Sequence, residues 1–442
     1  MDEVREPAFH LTDVTFTNFR RFERLELDLH PQVTLLVGEN GSGKTTVLEG
    51  IAALLSVLFV EILQAPWAAR PLKLEDAHLR YVASSGADAM RPQRPVVIEG
   101  HGVVYSARGE ERESLVTKFT ERLKPVYSVQ GAIAAKYLGV LHDEINTPAL
   151  LFLYRGAARL WQTQTDQRFA FDELGPRQSG YRDCFTGTSN TELLKSWMRW
   201  REQDRLQRFA AALEANEDPS AVAAPHMQAV EDAVCAVLEG ATRFRYSAAT
   251  QDLRVHFDDG RILPLTQLSD GQRGLMALAA DIAWRAVQLN LAWGREAPKK
   301  VEGVVLIDEI DLHLHPRWQR SAVRNLITAF PRLQFVITTH SPQVLGEAQP
   351  EWVRVLREDG GVDTVAHVYG KDANSVLRDV MGAESRAPEV QEKILALGRL
   401  LAERRIEEAE VALRALEDTL GADDSALAAP RWELRLLGQR VG

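Results

Sequence analysis

The chain has 442 residues, 45% hydrophobic and 26% charged, with a net charge of −10. That balance excludes a disordered or fibrous protein, and the length gives room for one large domain with insertions or two to three ordinary ones. The acidic total excludes a surface basic all over but leaves room for a local basic stripe. Two cysteines, Cys184 and Cys235, have no second ligand at metal spacing, which argues against a disulfide framework or zinc module and fits a reducing compartment. No apolar leader is visible in residues 1–10, and the apolar stretch 51–63 is broken by Glu61 and followed by Pro66. It reads as a buried helix, so no membrane segment and a cytoplasmic location are expected.

Residues 9–16 and 25–29 alternate apolar and polar side chains, as half-buried strands do. The run 33–37 is short, apolar and β-branched, and predicts a central strand covered on both faces. A glycine-rich turn and a helix from about Lys44 follow. Residues 95–107 suggest a strand pair with a tight turn, and 149–154 a further apolar strand. From about Gly156 to Thr242 the chain becomes rich in Trp, Arg, Glu and Ala, with helical spacing over 191–213 and 226–239. This reads as a helical insertion. Strands are expected at 242–247 and 253–257, then a helix over about 274–291. A strand at 304–308, a helix after Pro316 and a strand at 334–339 follow. Such alternation implies a largely parallel sheet. Two amphipathic stretches, 389–402 and 406–419, predict a C-terminal helical hairpin. The expected divisions are 1–155, 156–241, 242–385 and 386–442.

The first chemical motif is Gly38, Glu39, Asn40, Gly41, Ser42, Gly43, Lys44, Thr45. It fits the P-loop pattern, between an apolar strand and a helix. Glycines let backbone amides wrap phosphates at a helix N-terminus. Lys44 would reach the β- and γ-phosphates of ATP, Thr45 would ligate Mg2+, and Thr46 follows in the same turn. The second motif is the apolar run 304–307 ending in Asp308 and Glu309. Asp308 would orient Mg2+ and Glu309 would polarise the attacking water. On its own an acidic pair after a strand is often only a helix start; beside a P-loop it gains weight.

The third motif, Leu268, Ser269, Asp270, Gly271, Gln272, resembles the signature of ABC ATPases, with Asp270 where that family usually has glycine. Thr338, Thr339, His340 and Ser341 resemble its switch-histidine segment. The resemblance implies an α/β ABC-type ATPase head: a P-loop parallel sheet and an antiparallel β-subdomain. The helical insertion and C-terminal hairpin complete the expected fold class. It also implies a head-to-tail homodimer in which Ser269, Gly271 and Gln272 of one subunit meet ATP held by the other. A metal reading of His313 and His315 is set aside, since the segment resembles what RecF-like and OLD-like ATPases carry beside the catalytic glutamate; there Asp311 or His313 could touch the opposite subunit.

The opening Phe16–Phe22 segment is similar to the SMC/RecF type, without its long coiled coil. Tyr369 to Leu377, with Met381, Gly382 and Arg386, resembles the tail of PtuA-type ATPases of Septu and retron antiphage systems, although Ala373 departs from it. That resemblance implies an HNH nuclease partner and no nuclease centre in this chain. Asp423 and Asp424 read as a solvated turn. The other readings are a RecF-like repair ATPase that clamps DNA, and a module in which ATP only joins an oligomer. DNA or RNA contact could come from Arg155, Arg159, Arg199 and Arg201 with Trp161, Trp197 and Trp200. The preferred reading there is a charged outer helix face with tryptophan in the core.

Overall fold

The computed structural model describes residues 9–61, 68–82, 89–106, 109–119, 125–130, 148–157, 177–188, 191–218, 222–382 and 386–438. Contacts divide the chain into two compact units, Met1–Asp372 and Ala373–Gly442.

The larger unit is organised by a six-stranded sheet. Its strands are β3 (Val33–Val37), β9 (Leu151–Arg155), β13 (Gly303–Ile307), β14 (Leu333–Thr338), β15 (Val353–Leu356) and β16 (Val362–Thr364). In space they run β16-β15-β3-β14-β13-β9, all parallel except β16. Every residue of β3, β9, β13 and β14 is buried. That is why these segments read as unbroken apolar runs: helices and a second sheet cover both faces.

The second sheet is antiparallel, in the order β2-β1-β6-β7-β8, with β1 at Phe9–Phe19 and β2 at Phe22–Asp28. β6 spans Val96–Ser106, β7 Gly109–Phe119 and β8 Pro125–Gln130. The strand pair expected within 95–107 is therefore one strand. Gly100 and Gly102 looked like turn formers, but they permit close approach. A Cβ on Gly100 would lie 2.5 Å from the Leu54 side chain, and one on Gly102 would lie 2.9 Å from the His10 carbonyl. A short ribbon, β4 (Leu79–Val82) with β5 (Ala89–Pro92), stands beside this sheet's β1–β2 turn.

Helix α1 (Lys44–Glu61) packs between the two sheets, touching β6, β7 and β8 as well as β9, β13 and β14. Val47, Leu48, Ile51, Leu54, Leu55 and Phe59 are all buried, so the helix is apolar around its circumference. The sheets are also stitched by a polar device. The buried Gln334 side chain of β14 accepts from Leu11 N at 2.8 Å and donates to Leu11 O at 2.8 Å and His30 O at 3.0 Å. It occupies the bulge where β1 shifts register between Leu11 and Asp13. A bulge exposes unpaired backbone groups, and burying them requires a partner of this kind.

Between β9 and β10 the described residues hold α2 (Thr191–Glu214) and α3 (Pro225–Val237), followed by the strands β10 (Ala241–Ser247), β11 (Asp252–Phe257) and β12 (Ile262–Pro264). Trp197 is buried, Trp200 is exposed, and Arg201 lies over both rings, at 5.5 Å and 4.9 Å. Arg159 and Trp161 lie outside the described residues. Arg155 is not available to phosphates: it is wholly buried, with Nε and Nη2 donating to Asp281 at 2.8 Å and 2.5 Å. Arg285 donates to the same carboxylate at 2.9 Å. Burial alone would raise the Asp281 pKa, but the two guanidiniums hold it below the usual carboxylate range.

Further helices of the larger unit include α4 (Asp270–Leu289), α5 (Pro316–Ala329) and the short α6 (Pro342–Gly346). The smaller unit holds α7 (Ala373–Asp379), α8 (Pro388–Ala402), α9 (Ile406–Leu420) and α10 (Ala428–Gly438). The expected C-terminal hairpin thus has a third helix. Leu397, Leu401, Ala409, Leu413, Leu416 and Leu427 form its core; two amphipathic helices alone would leave much of that apolar surface wet. Asp424 is not a solvated turn residue either. It accepts from Arg386 at 2.6 Å and 3.1 Å and caps the following turn at Ala426 N, 2.9 Å away.

Candidate functional site

The parallel strands bring their C-terminal ends to one edge, and there the motifs meet. β3 delivers the loop 38–43, β13 delivers Asp308 and Glu309, and β14 delivers Thr338 to His340. Ligands in such sheets bind at this edge, where helix N-termini converge.

The loop's shape is fixed by its glycines. Gly38, Gly41 and Gly43 have φ of 147°, 83° and 102°. A Cβ on Gly43 would lie 2.4 Å from the Phe22 ring and 2.7 Å from the Arg21 side chain. Gly41 has open space instead, and Glu39 and Asn40 are exposed beside it. Lys44 is buried, and its Nζ donates to Gly38 O at 3.0 Å and Glu39 O at 2.9 Å. Burial holds its pKa below the usual lysine value, against the opposing pull of Asp308 and Glu309. The Ser42 hydroxyl oxygen is enclosed without a hydrogen-bond partner among the described residues. Thr46 is half-buried in the first turn of α1.

The Thr45 hydroxyl donates to Asp308 Oδ2 at 2.8 Å. The other Asp308 oxygen accepts from Thr338 Oγ1 at 2.6 Å, and Thr338 Oγ1 in turn accepts from Glu309 N at 2.7 Å. Asp308 N donates to Arg155 O at 2.8 Å. Glu309 has a φ of 49°, a left-handed backbone that costs roughly 1–2 kcal/mol for a residue with a side chain. The Thr338 hydroxyl, accepting from the Glu309 backbone N–H, holds it there. Backbone strain of this kind gathers at functional sites.

A second polar chain fixes His340. Asp311 Oδ1 accepts from Thr339 Oγ1 at 2.6 Å and His340 N at 3.3 Å. Asp311 is therefore engaged within its own subunit. Ser341 caps α6, accepting from Gln343 N and Val344 N, and donates to Gln319 Oε1 at 2.8 Å. Gln319 Nε2 donates to Leu314 O at 3.0 Å and Asp311 O at 3.4 Å. Burial, then the Lys44 charge, lowers the His340 pKa, which keeps its imidazole neutral at neutral pH. His315 is a helix cap, its Nδ1 accepting from Arg317 N at 3.3 Å, while His313 is exposed with a φ of 62°.

The signature-like segment opens α4. Ser269 accepts from Gln272 N at 3.3 Å, and Ser269 N donates to Gln272 Oε1 at 3.1 Å, closing a capping box. Asp270 in the first turn suits the helix dipole and pairs with Arg273 at 2.6 Å. Gly271 has a reason of its own: a Cβ there would lie 2.4 Å from the His313 carbonyl oxygen. Its absence lets the start of α4 press against the loop that follows Glu309. Ser269 is exposed, with hydrogen bonds running within its own helix.

Four residues of this arrangement were not singled out by sequence reasoning: Arg21, Thr338 as a brace, Gln319, and Arg155 as the holder of Asp308 N. Only Thr338 carried a signal, its place next to His340.

The residues fit ATP with Mg2+. An open turn faces a helix N-terminus, and an alcohol and a carboxylate oxygen lie side by side, which is the donor chemistry a hard cation takes.

Comparison with known proteins agrees in kind. A family model described as "AAA domain, putative AbiEii toxin, Type IV TA system" matches residues 194–346, and another described as "AAA domain" matches 13–57. The chain is 25% identical over 439 residues to the Retron Vc95 probable ATPase of Vibrio cholerae serotype O1 biovar El Tor, covering 89% of this chain and 83% of the relative. It is 44% identical over 95 residues to the Septu protein PtuA of Bacillus mycoides (strain KBAB4), covering 22% of this chain and 13% of that protein. The SMC head domain from Thermotoga maritima superposes with a TM-score of 0.42 at 15% identity, over 80% of this chain and 98% of that one.

Proposed function

We propose that this chain is a P-loop ATPase of the ABC/SMC-like type that hydrolyses ATP between two copies of itself to control a partner nuclease of the HNH type in antiphage defence. The observation that carries the hydrolytic part is the Thr45–Asp308–Thr338–Glu309 hydrogen-bond chain. It joins the Thr45–Asp308 pair to the backbone of Glu309.

Backbone amides of residues 39–45 and the N-terminus of α1 bind the phosphates, with Gly38, Gly41 and Gly43 shaping the loop and Asn40 and Ser42 at its rim. Lys44, freed from its two carbonyl contacts, compensates charge on the β- and γ-phosphates. Thr45 and Asp308 would hold Mg2+, which when bound neutralises phosphate oxygens. Glu309 orients a water toward the γ-phosphorus and takes up its proton as the oxygen–phosphorus bond forms. The bond to the β-phosphate oxygen breaks, and ADP leaves. Neutral His340 donates one hydrogen bond to the γ-phosphate, held in reach by Asp311. Ser269, Gly271 and Gln272 of the second copy close the far side, presenting the amides of a helix N-terminus.

The defence role is supported by the likeness to proteins named for retron and Septu systems. A Glu309→Gln variant should bind ATP as tightly as the parent while turnover falls about 10²–10⁴-fold, the usual contribution of a positioned base. Nucleotide binding measured by calorimetry and phosphate release measured on the same preparation test this. Wild-type turnover by the variant would remove Glu309 from the reaction. Co-purification with an HNH nuclease tests the partner. Recovery with recombination proteins instead would favour a RecF-like role.

A further inference from the structure

The buried ion cluster beside the site has no part in the chemistry above. Arg155 and Arg285 are both enclosed, and both donate to the one carboxylate of Asp281. Taking three charges out of water is expensive, and apolar side chains of similar volume often serve stability as well or better. Two cations on one anion are therefore a poor core filler, and their geometry is the better reason for them.

Arg155 ends β9, the edge strand of the parallel sheet. Among the described residues, its outer side is met not by another strand but by residues 184–187. Tyr154 N donates to Cys184 O at 2.7 Å and Gly156 N to Gly187 O at 2.8 Å. Strand ends open easily where few bonds hold them. The Arg155 guanidinium fastens this one. Nε and Nη2 donate to Asp281 of α4 at 2.8 Å and 2.5 Å, and Nη1 donates to Tyr154 O at 2.8 Å and Asp183 O at 3.2 Å. The rigid fork of an arginine can grip a carboxylate and two carbonyls together; the single nitrogen of a lysine cannot. On the other side of β9 the Arg155 carbonyl accepts from Asp308 N at 2.8 Å. Asp308 thus takes its main-chain position from Arg155, while Thr45 and Thr338 hold its two carboxylate oxygens.

Arg285 supplies a contrast within the same cluster. Its Nε donates to the other Asp281 oxygen at 2.9 Å and its Nη1 to Gly180 O at 2.7 Å. Among the described residues, none of its hydrogen bonds runs to β9 or β13.

We propose that Arg155 is a positioning residue for the metal of the ATP site: locked onto Asp281, it holds the end of β9 so that its carbonyl fixes Asp308. The proposal rests on the ATPase reading above, which assigns Mg2+ to Thr45 and Asp308. Mg2+ demands near-ideal octahedral geometry at roughly 2.0–2.1 Å, whereas Ca2+ accepts roughly 2.3–2.6 Å and irregular shells. A small displacement of Asp308 should therefore penalise Mg2+ far more than Ca2+.

The test uses the full chain and a fluorescent ATP analogue, titrated with MgCl2 or CaCl2. Anisotropy then reports nucleotide binding and not turnover. Arg155→Met keeps the side-chain length, leaves Asp281 one arginine and removes the hold on β9. It should raise the Mg2+ concentration for half-maximal binding about 10–100-fold, the usual effect of losing a group that orients a metal ligand. The Ca2+ value should move less than about threefold. Binding without divalent ion should be unchanged. Arg285→Met takes the same charge from the same carboxylate without touching β9. Its melting temperature should fall, while its Mg2+ requirement stays within about twofold of the wild type. Arg155→Lys keeps a charge on Asp281, so it remains informative if Arg155→Met does not fold. It should raise the Mg2+ requirement at least about threefold. An unmoved Mg2+ requirement in the Arg155 variants overturns the proposal. An equal shift for Ca2+, or an equal shift from Arg285→Met, does so too, since either would make the cluster a support of stability alone. Wild-type nucleotide binding that ignores Mg2+ is a different result: it removes the reading of Thr45 and Asp308 as the metal pair, and the proposal with it.

Discussion

Thr338 shows how much one hydroxyl can fix. It donates to the Asp308 carboxylate and accepts from Glu309 N, so a single side chain holds one carboxylate and the backbone of the other residue. A Thr338→Val substitution keeps the shape and removes both bonds. Leaving a buried group unpaired costs about 1–3 kcal/mol. Denaturant unfolding should show a loss of that order, and ATP turnover should fall at least about tenfold because Glu309 loses its brace. Unchanged stability and turnover would show that the strand ends hold these carboxylates without help. The sequence named Asp308 and Glu309 correctly as strand-end residues, but a threonine's partners depend on which strand lies beside it. Only the β13–β14 pairing supplies that.

Among elements, α5 and α6 meet at Gln319, which ties the loop after Glu309 to Ser341. Because Ser341 also caps α6, hydrogen bonds tie the two helices to the His340 segment. A Gln319→Leu variant keeps the side-chain bulk and loses the three hydrogen bonds. Turnover is expected to fall about tenfold, with KM for ATP nearly unchanged, because Lys44 and Thr45 are untouched. Steady-state kinetics decide it; a rise in KM with constant kcat would place Gln319 in binding instead. The helix α4 is a similar case. Its start was expected at about 274 and lies at Asp270, one turn earlier, and the need for Gly271 came from the carbonyl of His313 packed against it. The missed strands include β4, β5, β7 and β8. β4, β5 and β8 are exposed or at an edge, while β7 is a central strand whose buried Leu115, Thr117 and Phe119 alternate only over its second half, after the charged run 110–113.

At the scale of the whole molecule, Ser269 at the head of α4 is exposed, and the proposed dimer would bring it to a second copy. The Glu309→Gln variant with ATP should sediment as a dimer. Adding Ser269→Arg should return it to a monomer while ATP binding is kept, since the P-loop is intact. Sedimentation velocity at several concentrations separates the cases, and a dimer that persists in the Ser269→Arg variant would place the contact elsewhere.

The chain alone determined the order and identity of the ATP motifs, because each is a local unit: an apolar strand, a turn of fixed chemistry, a helix start. It also determined that β3, β9, β13 and β14 are buried, since an unbroken apolar run has no wet face. The tertiary structure alone decided what those units touch. Thr45 meets Asp308 across 263 residues of sequence, and Gln334 fills the bulge at Leu11 across 323. The third C-terminal helix and the buried Arg155 were likewise settled by packing. Periodicity reports that a face is covered; which partner covers it depends on contacts between segments far apart, and those no local pattern encodes.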